Sequence, residues 1–255
     1  MPNSGRFIHY LEALTVDLMV WIHLVAGNLC FVTALLALIS SKGGAFHRAA
    51  GRVFGLAVLT TASIAVWLAI QENEIALLLV GLLALHMVIS GYRVLYLKRN
   101  VPAHTLGPTR PGPLDKGMAQ MTVLGSCSIV AWGILAWDQE MLAPLMILLG
   151  LGGATMALGD LRRFRQRPKD PHHWITTHAT RMIGAATLTA ITVAVFHMPD
   201  HSVYVVWLAP LLIGGCLIGL WNWLISKRLI IYGNPDNFVE VRIKETTDMQ
   251  GTPPS

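Results

Sequence analysis

The chain has 255 residues, of which 54% are hydrophobic and only 13% are charged, and its net charge is +5. Soluble domains carry about 25% charged residues, so this composition excludes an ordinary water-soluble domain. Its high hydrophobicity also excludes intrinsic disorder. The composition indicates that lipid is the main solvent of this protein.

Seven apolar stretches follow one another along the chain. Each has about 18–24 residues, enough for a helix rising 1.5 Å per residue to cross a hydrocarbon core of about 30 Å. Only helices or closed barrels satisfy the backbone in lipid. The predicted spans are 16–39, 53–70, 75–97, 117–137, 141–159, 176–198 and 202–225. We therefore predict an all-α integral membrane bundle of seven transmembrane helices at 16–225, with a short outer segment at 1–15 and a tail at 226–255.

Charge in the connecting loops predicts the orientation. The first, third and fifth loops are rich in Lys and Arg, whereas the second, fourth and sixth hold only acidic charges. Basic loops stay on the cytoplasmic side, so the N-terminus is predicted outside and the C-terminus in the cytoplasm. Outside lie one base and seven acids (−6), and inside lie 18 bases and seven acids (+11). The basic excess thus reflects topology in the membrane and predicts no nucleic-acid partner.

Small residues predict close helix packing. A stripe from Gly150 to Ala157 and the pair Gly215 and Gly219 recur at helical spacing. Such stripes let two backbones approach closely, within one bundle or across a homodimer. Both alternatives remain open.

The third span carries the sharpest polar pattern. His86, Ser90 and Arg93 are spaced i, i+4, i+7 and share one helix face. An imidazole in the middle of a span needs a partner, and His23 in the first span lies at a comparable depth. Arg93 alone is also compatible with a side chain that reaches the inner headgroups.

A second polar cluster is predicted at the inner surface. His47 and Arg52 lie in the first inner loop, and His178 and Arg181 lie one turn apart at the start of the sixth span. Contact with lipid phosphates is the alternative for the basic residues. The sequence offers no carboxylate inside a span, because Asp17 and Asp160 are placed at span ends.

Three motifs carry a resemblance. They are Lys-Gly-Gly-x-x-His-Arg-x-x-Gly-Arg at 42–52, Ser-Gly-Tyr-Arg-Val-Leu at 90–95 and His-x-Trp-Ile-x-x-His-x-x-Arg-Met-x-Gly at 172–184. With them the chain resembles an uncharacterised bacterial family of multi-pass membrane proteins, a domain of unknown function. The resemblance covers most of spans one to six. It implies the topology and singles out these residues, but it supplies no mechanism.

The first functional hypothesis is a b-type haem protein that transfers electrons, with quinone as a possible partner. Haem b with two axial imidazoles needs histidines on different helices and bases for its propionates. His23 with His86 and His47 with His178 are the candidate pairs. The candidate cofactor-binding residues are His23, His86, His47, His178, Arg52, Arg93 and Arg181.

Two alternatives stay open. The first is a carrier coupled to metal or protons, or a membrane enzyme with a metal site, in which a transition metal is held by imidazoles. Its candidate ligands are His47, His172, His173 and His178. The second is an accessory membrane protein without chemistry, because no catalytic triad, metalloprotease motif or nucleotide-binding loop occurs.

Overall fold

A computed structural model describes residues 4–99, 111–166, 173–198 and 201–227, with side chains from residue 15 to 97 in the first range. These residues form seven α-helices, and no strand occurs among them. The helices are α1 (Ser4–Ile39), α2 (Ala45–Gln71), α3 (Ile75–Arg99), α4 (Pro113–Leu135), α5 (Ala143–Arg165), α6 (His173–His197) and α7 (Val203–Ser226). His172 and nearly all of the tail at 226–255 lie outside the described residues.

All seven helices are long and apolar enough to cross a membrane. The prediction of an all-α protein with seven such helices is confirmed. Helix ends differ from the predicted ends most at α1, which begins at Ser4, then at α2, which begins at Ala45, and at α5, which continues to Arg165. Backbone hydrogen bonding continues into polar sequence, so an apolar window underestimates a helix that ends in charged residues. The first helix likewise begins at Ser4 and runs through most of the predicted outer segment.

The third helix lies at the centre of the bundle. It packs against α2, α4 and α6 and also touches α5, while α4–α5 and α6–α7 form adjacent pairs. Leu79, Val88, Met146 and Ile191 are fully buried between these helices. The first helix packs against α2 and α6. Within the described residues α1 and α7 are not packed closely on one another, although both lie against α6.

Glycines allow the closest helix approaches. A Cβ at Gly150 would lie 2.9 Å from the Ser126 carbonyl oxygen on α4, and one at Gly153 would lie 2.5 Å from the Ser126 Oγ. The small-residue stripe of α5 is therefore used inside the bundle. Gly215 and Gly219 on α7 have open space where a Cβ would be. The outer surface is rich in exposed apolar side chains and is compatible with a lipid bilayer.

Candidate functional site

A large cavity lies between α1, α2, α3, α6 and α7. Its volume is about 720 Å³, within the range of small-molecule and cofactor sites. Most of its wall is apolar, including Phe31, Leu35 and Leu217. Basic and imidazole side chains line one end, namely Lys42, His47, Arg48, Arg52 and His178. No carboxylate is among the described residues that line it, so the cavity suits an amphipathic ligand with an anionic or hydrogen-bond-accepting head.

His47 is oriented by the end of the preceding helix. The turn between α1 and α2 contains Gly43 with φ 78°, a left-handed conformation that favours glycine. In the first turn of α2, His47 Nδ1 lies 3.0 Å from the Ala37 carbonyl oxygen and 3.3 Å from Ser40 Oγ. A carbonyl can only accept, so Nδ1 carries the hydrogen. In the neutral ring, Nε2 then has a free lone pair.

His178, which lines the cavity from α6, has a similar arrangement. Its Nδ1 lies 2.9 Å from the carbonyl oxygen of Gly91 on α3, so Nδ1 donates and Nε2 keeps its lone pair. Histidines that bind metals or haem iron are commonly fixed in this way, by an Nδ1–H bond to a backbone carbonyl. The cavity therefore presents two imidazoles of the same tautomer on two helices, α2 and α6.

Cations surround this end of the cavity. Lys42 donates to the carbonyl oxygens of Ala37 (3.1 Å), Ser40 (2.8 Å) and Leu38, and its Nζ lies 5.1 Å from the ring centre of Trp221. It thus satisfies carbonyl groups left open at the C-terminus of α1. Burial lowers the pKa of Lys42 below its ordinary value.

The two arginines at this end are only partly engaged. Arg48 donates to the carbonyl oxygen of Gly43, and Arg52 Nε donates to the carbonyl oxygen of Arg48 at 3.2 Å. In the described part of the chain, Arg52 makes its hydrogen bond through Nε alone. Its two terminal nitrogens therefore remain able to bind a carboxylate or phosphate.

A separate ion network lies between α3, α5 and α6. Its centre is Asp160, whose side chain is only 6% exposed. Arg181 Nη2 lies 2.9 Å from both carboxylate oxygens, His86 Nε2 lies 3.2 Å from Oδ2, and Arg163 also donates to Oδ1. The expectation that Asp160 marks a helix end is wrong, because α5 continues to Arg165 and packs Asp160 among three helices.

The face of α3 that carries His86, Ser90 and Arg93 extends from this network to a second ion pair. Arg93 Nε and Nη2 donate to Asp115 Oδ1 and Oδ2 at 2.8 and 2.7 Å. Asp115 also accepts from the Gly112 backbone N–H at 2.8 Å, which fixes the start of α4. A cavity of about 40 Å³ lies between the two pairs and is lined by residues that include His86, Ser90, Arg93, Asp115, Asp160, Arg163, His173 and Thr177.

Three buried polar atoms have no hydrogen-bond partner among the described residues. They are His86 Nδ1, Arg181 Nη1 and Ser126 Oγ. An unsatisfied buried polar atom costs about 1–3 kcal/mol, and charged groups cost more. Two of the three belong to the Asp160 network, so this network is costly to the fold.

The predicted site residues fall into three places. His47, His178 and Arg52 line the large cavity, whereas Arg181 turns away to Asp160 although it lies one turn from His178. His86, Arg93 and His173 line the small cavity. His23 binds elsewhere, with Nδ1 3.0 Å from the carbonyl oxygen of Thr61. His23 and His86 therefore have different hydrogen-bond partners, Thr61 and Asp160.

The proposed metal ligands are divided in the same way. His47 and His178 line one cavity and His173 lines the other. No group of three or more His, Cys, Asp or Glu side chains that could hold a metal ion occurs in the described ranges.

Comparison of the chain with models of protein families, with curated proteins and with solved structures finds no match.

Proposed function

We propose that the chain is a multi-pass protein of the bacterial inner membrane that holds a b-type haem in the large cavity and transfers electrons through it. The N-terminus is outside and the C-terminus is cytoplasmic, because the basic loops then lie inside. The motifs at 42–52 and 172–184 supply His47 and His178, so we also propose membership of the uncharacterised family they resemble.

The tautomer of the two cavity histidines carries this proposal. His47 and His178 each donate Nδ1–H to a backbone carbonyl, which leaves both Nε2 atoms free to bind iron. They come from different helices, so both could serve as ligands of one haem iron. Arg48 and Arg52 lie at the same end of the cavity and can bind carboxylates of the propionate type.

The chain itself contributes binding, orientation and a dry environment. The bound haem supplies one-electron iron chemistry. The carbonyl groups of Ala37 and Gly91 hold the two imidazole rings in position, and the apolar wall would exclude water from a bound macrocycle. Because no carboxylate faces the cavity in the described residues, the net positive charge there favours an anionic ligand.

The visible absorption spectrum tests this function. The protein is purified from cells supplied with a haem precursor, and we expect a Soret band with the sharp reduced bands of a low-spin haem. His47→Ala and His178→Ala should each remove the low-spin bands. His23→Ala is the matched control and should keep them, since His23 bonds to Thr61 and does not line the cavity. A wild-type protein without a Soret band contradicts the proposal.

A quinone is a second candidate for the same cavity. The specific observation is the opening between α1 and α7, where Phe31 and Leu35 on one helix and Ile213 and Leu217 on the other line the cavity without close packing of the two helices. A ligand dissolved in the bilayer could enter there, and His47 or His178 could bind its ring oxygen. Tight binding of a short-chain quinone by protein without haem, weakened by Leu35→Trp in the opening, would favour this candidate.

A further inference from the structure

The Asp160 network has no part in the proposed cavity. Asp160, Arg163, His86 and Arg181 form hydrogen bonds across three apolar helices, and the side chains of Asp160, His86 and Arg181 are nearly inaccessible to solvent. Ionisable groups inside membrane helices are costly and are typically kept for transport of ions or protons. The network therefore needs a functional explanation that is separate from the large cavity.

The small cavity connects this network to the surroundings. Its volume of about 40 Å³ is enough for two or three water molecules, since each needs roughly 10–15 Å³ of such space. Polar groups line it from His86 and Asp160 at one end to Arg93 and Asp115 at the other. The side chain of Arg93 is 37% exposed, whereas that of His86 is 1% exposed. The cavity thus joins the buried His86–Asp160 pair to the partly exposed side chain of Arg93.

His86 is the group in this network that can take up a proton. Its Nε2 donates to the Asp160 carboxylate, and its Nδ1 is unpaired among the described residues. Both Asp160 oxygens are already bound by arginines. The charged and titratable groups that face His86 are Arg93 on α3, Asp115 on α4, Asp160 and Arg163 on α5, and His173 and Arg181 on α6.

We propose that the small cavity is a hydrated inlet through which His86 exchanges protons with the aqueous phase on the side of the Arg93–Asp115 pair. A hydronium ion in the cavity gives its proton to the imidazole lone pair and becomes water. The imidazolium that forms is paired with the Asp160 carboxylate, and release reverses the step. With the orientation proposed above, this side is the cytoplasm. The proposal does not depend on haem or quinone.

Accessibility to Ag⁺, a cation close to water in size, tests the inlet. Cys30, Cys127 and Cys216 are first replaced by Ser, and a single cysteine is then introduced as Ser90→Cys, which lines the cavity, or Ser126→Cys, which is buried and does not line it. Each variant is embedded in vesicles of known orientation. Thiols that have not reacted with Ag⁺ are then quantified with a maleimide after the protein is unfolded.

We expect Ser90→Cys to react at least roughly tenfold faster than Ser126→Cys, and only from the cytoplasmic side, since thiol reactions follow access to water. Equal rates, or reaction from the outer side alone, would overturn the inlet. The protonation itself is followed by ¹⁵N NMR of the imidazoles in lipid nanodiscs, with His86→Gln to assign the signal.

The His86 signal should shift between acidic and alkaline pH if the imidazole gains and loses a proton through the inlet. A His86 signal that stays unchanged over the whole pH range overturns proton exchange. Both measurements use the full chain and require no cofactor. A negative result would therefore not bear on the haem proposal, which the absorption spectrum tests separately.

Discussion

The carbonyl oxygen of Gly91 lies 2.9 Å from Nδ1 of His178, so the backbone of α3 orients a histidine on α6. Glycine permits this approach, because a Cβ at Gly91 would lie 2.5 Å from Met182 Cε and 2.7 Å from Arg181 Cβ. The same crossing therefore holds His178 towards the large cavity and Arg181 towards Asp160.

Gly91→Ala should separate α3 from α6 and disturb both sites. Overpacking of this kind costs about 1–3 kcal/mol, and the hydrogen bond from His178 should lengthen. Thermal unfolding in detergent measures the loss. Gly152→Ala on α5 is the matched control, because a Cβ there meets nothing within 4 Å. It should be neutral or stabilise by up to about 1 kcal/mol through helix propensity. Equal melting temperatures for the two variants would argue against the close crossing.

Asp160→Asn should be more harmful than Asp115→Asn. Removing one partner of a buried ion pair costs about 3–5 kcal/mol, because the remaining charge is left buried. The side chain of Arg181, the partner of Asp160, is 4% exposed. That of Arg93, the partner of Asp115, is 37% exposed, so water or lipid headgroups can solvate it when Asp115 is neutralised. Unfolding in detergent gives the comparison. The double variant Asp160→Asn/Arg181→Met should recover part of the stability, and a failure to recover any would mean that Arg181 is not destabilised by its own charge.

Arg52→Gln should weaken the binding of an anionic amphiphile in the large cavity. Loss of one charge-assisted hydrogen bond lowers affinity by roughly tenfold, or about 1.4 kcal/mol. Titration of the apoprotein with hemin measures it. Arg162→Gln on α5 is the control, because Arg162 does not line the cavity. If both variants bind hemin as the wild type does, the propionates do not reach Arg52.

Lys42 should produce a pH dependence of stability in the alkaline range. Burial lowers the pKa of Lys42 below its ordinary value of 10.5, so near that pH the unfolded chain binds more protons than the native protein. Stability relative to the Lys42→Met variant should then rise with pH just below 10.5 and stay constant near neutrality. The melting temperatures of the two proteins are compared between neutral and alkaline pH. If the stability of the wild type relative to Lys42→Met fell as the pH rose, a lowered pKa of Lys42 would be contradicted.

Hydropathy was sufficient to predict seven helices, because each span has to be apolar over a fixed length. It could not predict the ends of α5, and for that reason Asp160 was misplaced. A signal was nevertheless present. Arg93 and Arg181 inside spans each require an acid, and Asp115 and Asp160 are the acids nearest to the same end of the bundle.

The rotation of each helix about its own axis could not be predicted from hydropathy. Helices that are apolar on all sides carry no clear polar face, so equal depth of His23 and His86 did not reveal that they point to Thr61 and Asp160. Which neighbour a side chain meets depends on glycine-mediated crossings such as the one at Gly91, which act between distant parts of the chain.

The contact of Lys42 with Trp221 joins the turn after α1 to α7, the two helices that leave the cavity open between them. A cation–π contact of this kind contributes about 0.5–1 kcal/mol, close to thermal energy. The inner rim of the opening can therefore part and close while the remaining helices stay packed. A ligand could then enter from this side after the helices have packed, and binding would not require the bundle to unfold.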